Sequence, residues 1–151
     1  MDRFLSNAIN RIDAKGRVSV PARFRTILQQ RGLVDLYAMR SLDNPALIAG
    51  GMDLLERLEA RLGEFDPFSS EADDMAYHIH GDGAFLKVDG DGRITVTEFL
   101  RDHTGITDSV AFVGMGHYFQ IWEPEKFQAY QSAALARLKN ARKLKSEAAQ
   151  S

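Results

Sequence analysis

Two residues four apart, Asp13 and Arg17, bracket a glycine-containing stretch in "DAKGR", and the pattern returns as Asp89 and Arg93 in "DGDGR". The chemistry on offer is recognition. An arginine that leaves a tight turn at the start of a strand sits on a rigid mount. Its planar fork of donors fits phosphate oxygens, or O6 and N7 of guanine. A neighbouring aspartate can hold the guanidinium by charge-assisted hydrogen bonds and lower the entropy lost on binding. Lys15, at the tip of the first turn, is a further phosphate-contact candidate, and Arg11, just upstream, completes the set. One bidentate Arg–guanine pair contributes about 1–3 kcal/mol of discrimination. That is too little for one unit, so repetition within the chain and oligomerisation would have to supply avidity. The plainer alternative is an ion pair across a hairpin, which contributes roughly 0–1 kcal/mol. Asp, Gly and Arg at identical positions in both copies favour recognition.

The elements that carry these residues are themselves repeated. "DAKGRVSVPARFR" (Asp13–Arg25) aligns without a gap on "DGDGRITVTEFLR" (Asp89–Arg101), matching Gly16 with Gly92, Val18 with Ile94, Val20 with Val96 and Arg25 with Arg101. The likeness continues more loosely, "GLVDLYAM" with "DSVAFVGM" and "ALIAGGMDLLERL" with "FQIWEPEKFQAY". Two copies are too few for a solenoid, so they predict a pseudo-twofold chain whose halves share one core.

Each unit reads alike. A strand enters the motif, "NAINRI" or "AFLKV". A glycine turn follows, and a strand of β-branched residues leaves it, "RVSV" or "RITV". Pro21 starts a short helix at its first turn and Gly32 stops it; Thr97 and Gly105 do the same in the second copy. Further strands are predicted near Val34–Met39, Leu47–Ala49, Val110–Val113 and Tyr118–Trp122. Helices are predicted over Gly51–Leu62 and Glu123–Lys145. Leu54, Leu55, Leu58 and Leu62 form a stripe on the first helix. Phe127, Tyr130, Ala134, Leu138 and Ala141 do so on the second, and both stripes read as core. Between the units, the acidic stretch Glu64–His80 contains a helix running to His80, capped by Ser70 with Asp73. The expected division is 7–54 for the first repeat, 55–82 for the connector, 83–126 for the second repeat and 127–151 for the closing helix and basic tail.

Charge supports an anionic partner through its distribution, since the net value is only −2. Residues 1–31 carry seven Lys/Arg against two acids, residues 32–136 seven against eighteen, and residues 137–151 five against one. A basic face on an acidic body can dock on phosphate while the remainder stays solvated. There is no cysteine, which excludes disulfides, thiol catalysis and thiolate metal sites. No apolar run approaches the roughly 20 residues a membrane helix needs, and the N-terminal stretch lacks a signal-peptide core. The chain reads as cytosolic.

Other chemistries fit less well. "DGDGRITVTEF" places Asp89, Asp91 and Glu98 at the third, fifth and twelfth positions of an EF-hand calcium loop, but its first position is Lys87 and a strand precedes it. His78 and His80 do not share a helical face, so they make no zinc pair. Neither "GDGAF" nor "GMGHY" forms a phosphate loop or dinucleotide fingerprint, and no serine has a nucleophile-elbow setting. The reading is therefore non-enzymatic, with no cofactor and no metal. A scaffold or interaction protein that binds no DNA stays open on residues alone.

"FLSNAINRIDAKGRVSVPARFR", followed by "VDGDGRITVTEFLRDHTGI" and "SVAFVGMGHYFQIWEPEKF", resembles the MraZ family over about residues 4 to 130. The resemblance implies an α+β fold with a β-rich core, built from two pseudo-twofold-related swapped-hairpin units of the SpoVT-AbrB type with flanking helices. It implies homo-oligomeric rings, octameric or dodecameric, in the cytoplasm and on the nucleoid. It also implies binding to repeated boxes of double-stranded DNA upstream of the division and cell-wall gene cluster, its own promoter included, usually with repression. The Asp-x-x-x-Arg motifs carry that contact, here Asp13 with Arg17 and Asp89 with Arg93. The chain departs from the family at Ser6 (usually Gly), at Asn10 (near a usual His) and at Thr97 (commonly Pro). Asp91 stands where the first copy has Lys15, putting a negative charge at the second turn tip. The first copy is therefore expected to dominate the DNA contact.

Overall fold

The computed structural model describes residues 2–32 and 35–150. Its eight strands and five α-helices run in chain order as β1 (Asn7–Arg11), β2 (Arg17–Ser19), α1 (Ala22–Gln30), β3 (Leu36–Arg40), β4 (Ala46–Gly50), α2 (Met52–Leu62), α3 (Ser70–Ala76), β5 (Ala84–Leu86), β6 (Arg93–Thr95), α4 (Glu98–Thr104), β7 (Ser109–Gly114), β8 (Phe119–Trp122) and α5 (Pro124–Gln150). Val34, the first residue of the expected Val34–Met39 strand, lies outside the described residues.

The topology is a mirror of the repeat. One antiparallel sheet has the order β1-β7-β8-β4-β3-β5, and a small second sheet pairs β2 with β6. Each half contributes a hairpin, β3–β4 or β7–β8, and the hairpins meet through β4 and β8 in the middle. The outer strands are exchanged. β1 of the first half pairs with β7 of the second, Ile9 opposite Ala111. β5 of the second half pairs with β3 of the first, Tyr37 opposite Phe85. The fold is thus α+β, with a β-rich core to which both halves contribute strands.

The central strands read as near-continuous apolar runs because both faces are covered: β8 is buried at all four positions and β4 at four of five. One face meets α1, α4 and the small sheet in the main core. There Phe4 lies 5.2 Å from Phe24 and 5.1 Å from Phe119, ring centre to ring centre. Such pairs contribute about 0.5–1.5 kcal/mol each beyond their buried area. The other face carries Tyr37, Met39 and Ile48 under Leu54, Leu55, Leu58 and Leu62 of α2, with Ile79 from the connector. The α2 stripe is core, as its spacing predicts.

Four local expectations are corrected. Pro21 occupies the residue before the first turn of α1 and not that turn itself. Thr97 stands at the N-cap of α4, but its side chain makes no capping bond. The connector helix is capped by Ser69, whose Oγ accepts from the Ala72 amide at 3.2 Å, and not by Ser70. That helix does not run unbroken to His80: α3 ends at Ala76 and widens into a π-helical turn, Tyr77–Gly81. The largest correction concerns α5, which extends beyond the expected Lys145. Phe127 is buried against Trp122, and Tyr130 stacks on the same indole at 5.0 Å. Beyond Tyr130 the helix leaves the body, and Leu138 of the supposed core stripe is 68% exposed. A helical period reports an apolar face; it does not say whether the same chain covers it.

Candidate nucleic-acid interface

Both Asp-x-x-x-Arg units fold into the same turn. In the first, Asp13 Oδ1 accepts from the amides of Lys15 and Arg17, each at 2.9 Å, and Oδ2 accepts from Arg17 Nε at 3.1 Å. The backbone closes the loop, Asp13 N to Arg17 O at 2.8 Å and Gly16 N to Asp13 O at 3.0 Å. In the second, Asp89 Oδ1 accepts from Asp91 N and Arg93 N at 2.9 Å, and Oδ2 from Arg93 Nε at 3.2 Å. Gly16 and Gly92 sit at φ +76° and +78°, where a Cβ would be strained, so the turn requires glycine. The aspartate is therefore a staple for the turn before it is a partner for the guanidinium. Accepting these amide bonds, chiefly that from the arginine's own N–H, holds the carboxyls of Asp13 and Asp89 below the usual carboxylate range.

The exchanged topology brings the two turns together. β2 and β6 pair antiparallel with Arg17 opposite Thr95, Val18 opposite Ile94 and Ser19 opposite Arg93. Val18 and Ile94 are each 1% exposed and pin the ribbon to the core. Reciprocal bonds extend the pairing, Val20 N to Gly92 O at 2.9 Å and Val96 N to Gly16 O at 2.8 Å. Arg93 Nη1 reaches within 3.8 Å of Asp13 Oδ2 in the other turn. Asp13, Lys15, Arg17, Asp89 and Arg93 thus share one ribbon. Arg11 does not join them: it stays exposed at the end of β1, opposite Ser109, and among the described residues it bonds to neither turn.

The two arginines differ in what remains free. Arg17 is held side-on through Nε, and among the described residues its terminal nitrogens meet no acceptor. Arg93 is held through Nε as well, but its Nη2 is also tied to Asp91 Oδ2 at 2.9 Å. With Asp13 nearby, three carboxylates surround it. The first turn presents an open fork and the second a neutralised one. The calcium alternative loses its ligands to the same arrangement. Asp89 and Asp91 both hold Arg93, and strand β5, not a helix, leads toward the turn.

One further cation beside the second turn comes from outside the two Asp-x-x-x-Arg units. Arg25 of α1 lies over Gly92, where a Cβ would meet Arg25 Cδ at 2.5 Å and Nη1 at 2.6 Å. Its Nε donates to Val20 O at 3.1 Å. Its repeat counterpart, Arg101, turns away to the carbonyls of Ile106 and Thr107. The retained pair Arg25/Arg101 was a visible signal. Its significance depends on α1 of one half crossing to the turn of the other, which no local pattern encodes.

A chain whose halves exchange outer strands into one sheet, and which sets one stapled arginine turn from each half on a common ribbon, is a two-unit swapped-hairpin protein with a paired-arginine face. A family model described as "MraZ protein, putative antitoxin-like" matches residues 81–148. The chain is 54% identical over 134 residues to the protein named transcriptional regulator MraZ of Rhizobium rhizogenes K84, covering 89% of this chain and 92% of that relative. It is 48% identical over the same shares to the one of Rhizobium meliloti 1021. To that of Azorhizobium caulinodans it is 43% identical, covering 95% of this chain and 91% of the relative. The chain belongs to the MraZ family, a family of transcriptional regulators and not of enzymes. Among the described residues no helix is long and apolar enough to cross a membrane.

Proposed function

We propose that this protein is a sequence-specific DNA-binding transcriptional regulator. In this reading it represses the division and cell-wall gene cluster from repeated boxes that include its own promoter. It acts in the cytoplasm, on the nucleoid, as a ring of eight or twelve copies. Its working units are residues 7–54 and 83–126, joined by 55–82 and followed by 127–151. Arg17, Lys15, Asp13, Arg93, Asp89 and Arg11 form the DNA-contacting set, with Arg25 added from the geometry.

The observation that carries the reading is the shared ribbon with one guanidinium fork left open. A two-stranded ribbon has the dimensions to enter a major groove. Arg17 offers both terminal nitrogens from a mount fixed by Asp13. The relatives' common name, transcriptional regulator, supports the same assignment.

The test is titration of the purified protein against duplex from upstream of its own gene, at low and raised salt, beside Arg17→Ala. Salt-sensitive, sequence-preferring binding that Arg17→Ala abolishes at unchanged oligomeric mass supports the reading. A correctly folded oligomer with no preference for that duplex at any salt overturns it and leaves a scaffold that binds no DNA.

A further inference from the structure

The part of the fold with the least intramolecular cover is the far end of α5. The helix has 27 residues, so it spans about 40 Å, and its residues from Leu135 onward are exposed. Leu135, Leu138, Arg142 and Lys145 fall at i, i+3, i+7 and i+10, one side of the helix. Leu135 and Leu138 are exposed there. Residues 137–145 hold Arg137, Lys139, Arg142, Lys143 and Lys145 with no acid among them. Arg137 stacks on Tyr130 of its own helix. Among the described residues, none of the other four is within ion-pair distance of a carboxylate.

A surface of opposite character lies on the connector. A groove of about 420 Å³ runs between α2 and α3. Its floor includes Leu62, Phe65 and Ala72, and Glu59 and Asp73 line it. Residues 56–82 carry eight acids against two arginines. Glu59 is engaged by His80 at 3.0 Å and Asp82 by Arg40 at 3.3 Å. Glu64, Asp66, Glu71, Asp73 and Asp74 have no cation partner among the described residues.

We infer that the far end of α5 of one copy docks in the α2–α3 groove of a second copy, placing Leu135 and Leu138 on the apolar floor and Arg142 and Lys145 against the acidic rim. The match is double, apolar to apolar and cation to carboxylate, and among the described residues neither Arg142 and Lys145 nor Asp73 has an ion-pair partner. Leucines on the same face as the cations favour a protein partner over duplex phosphate, which would engage the cations and leave the leucines wet. The contact is head-to-tail, because the docking helix and the groove are different surfaces of one chain. Such contacts close into rings when the rotation per copy permits. The inference rests on the self-assembly component of the proposed function.

The chain has no cysteine, so single cysteines can be placed at will. Full-length Leu138→Cys and Ala76→Cys proteins are mixed and oxidised without DNA, and their mass in solution is measured in parallel. A disulfide between the two proteins is expected. Asn140→Cys, on the opposite side of α5, is expected to give none with Ala76→Cys. Separately, Lys145→Asp and Asp73→Lys each weaken assembly about tenfold at low salt, and combining them in one chain restores most of it. Assembly at full mass without the Leu138–Ala76 crosslink overturns the contact and leaves assembly standing. A monomer at every concentration overturns assembly and the contact with it. Lys145→Asp that weakens duplex binding at unchanged mass assigns the tail to DNA and overturns the contact.

Discussion

At the scale of single residues, the two copies of one motif end in different electrostatic surroundings. Arg17 and Arg93 share a mount, yet Arg93 is surrounded by Asp89, Asp91 and Asp13, whereas among the described residues Arg17 pairs with Asp13 alone. An arginine already satisfied by carboxylates must give up those bonds to reach a base. Arg17→Ala is therefore expected to weaken binding to the promoter duplex by at least about tenfold, in line with the roughly 1–3 kcal/mol of a bidentate contact, and Arg93→Ala by clearly less. Equal losses in a gel-shift or anisotropy titration would defeat that ranking. Asp91→Asn should bring the second copy closer to the first and tighten binding. The stapling aspartates also leave a mark on acid stability. Their folded-state pKa values are depressed, mainly by the amides of Arg17 and Arg93. The stabilisation is then complete above the unfolded value near 3.8 and is lost as pH falls through the lower folded values. Thermal melts below pH 4 should show a shallower acid decline in an Asp13→Asn, Asp89→Asn protein.

At the scale of elements, the decisive contacts cross between halves. Gly16 and Gly92 share a backbone conformation, but only Gly92 lies beneath another side chain, that of Arg25. Alanine at Gly16 meets open space and is expected to cost only the left-handed strain, about 1–2 kcal/mol. Alanine at Gly92 adds displacement of Arg25, so its melting temperature should fall further; equal losses would mean Arg25 moves freely. Phe4 is fully buried, and its amide and carbonyl both bond to Gly116 in the other half. Phe4→Ala should cost about 3–5 kcal/mol, measurable by chemical denaturation. These elements also mark what could be read from residues alone. The turns, the strands that leave them and the α2 stripe were legible because each is dictated within about ten residues by glycine, β-branching or period. The repeat made the pseudo-twofold legible too. Arg25 over Gly92 and the pairing of Arg93 with Asp91 were not, because both depend on where a side chain reaches after two halves have met. The projecting end of α5 was misread for a related reason. Its period is that of a core helix, and the missing cover belongs to no sequence-local rule.

At the scale of the whole molecule, the proposed DNA binding has a signature in salt. The ribbon itself is charge-balanced, three carboxylates against Lys15, Arg17 and Arg93, so salt dependence in the proposed binding would come from the phosphate contacts of Lys15 and Arg17, which release counterions. Lys15→Ala should reduce the slope of log K against log salt by about one for each engaged turn while leaving sequence preference intact. A changed preference at constant slope would instead make Lys15 a base reader. The exchange of outer strands has one more consequence, which concerns the order in which the chain is made. Residues 7–11 take their strand pairing from residues 109–113, and residues 17–19 theirs from residues 93–95. On a ribosome adding roughly 5–20 residues per second, the first strand waits on the order of 5–20 s for its neighbour. During that interval Phe4 lacks Phe119 and Val18 lacks Ile94, the second-half side chains they pack or pair with. A nascent chain that stalls before residue 109 is thus a substrate for chaperones and proteases and not a half-made regulator, and arginine turn and sheet mature in one late step.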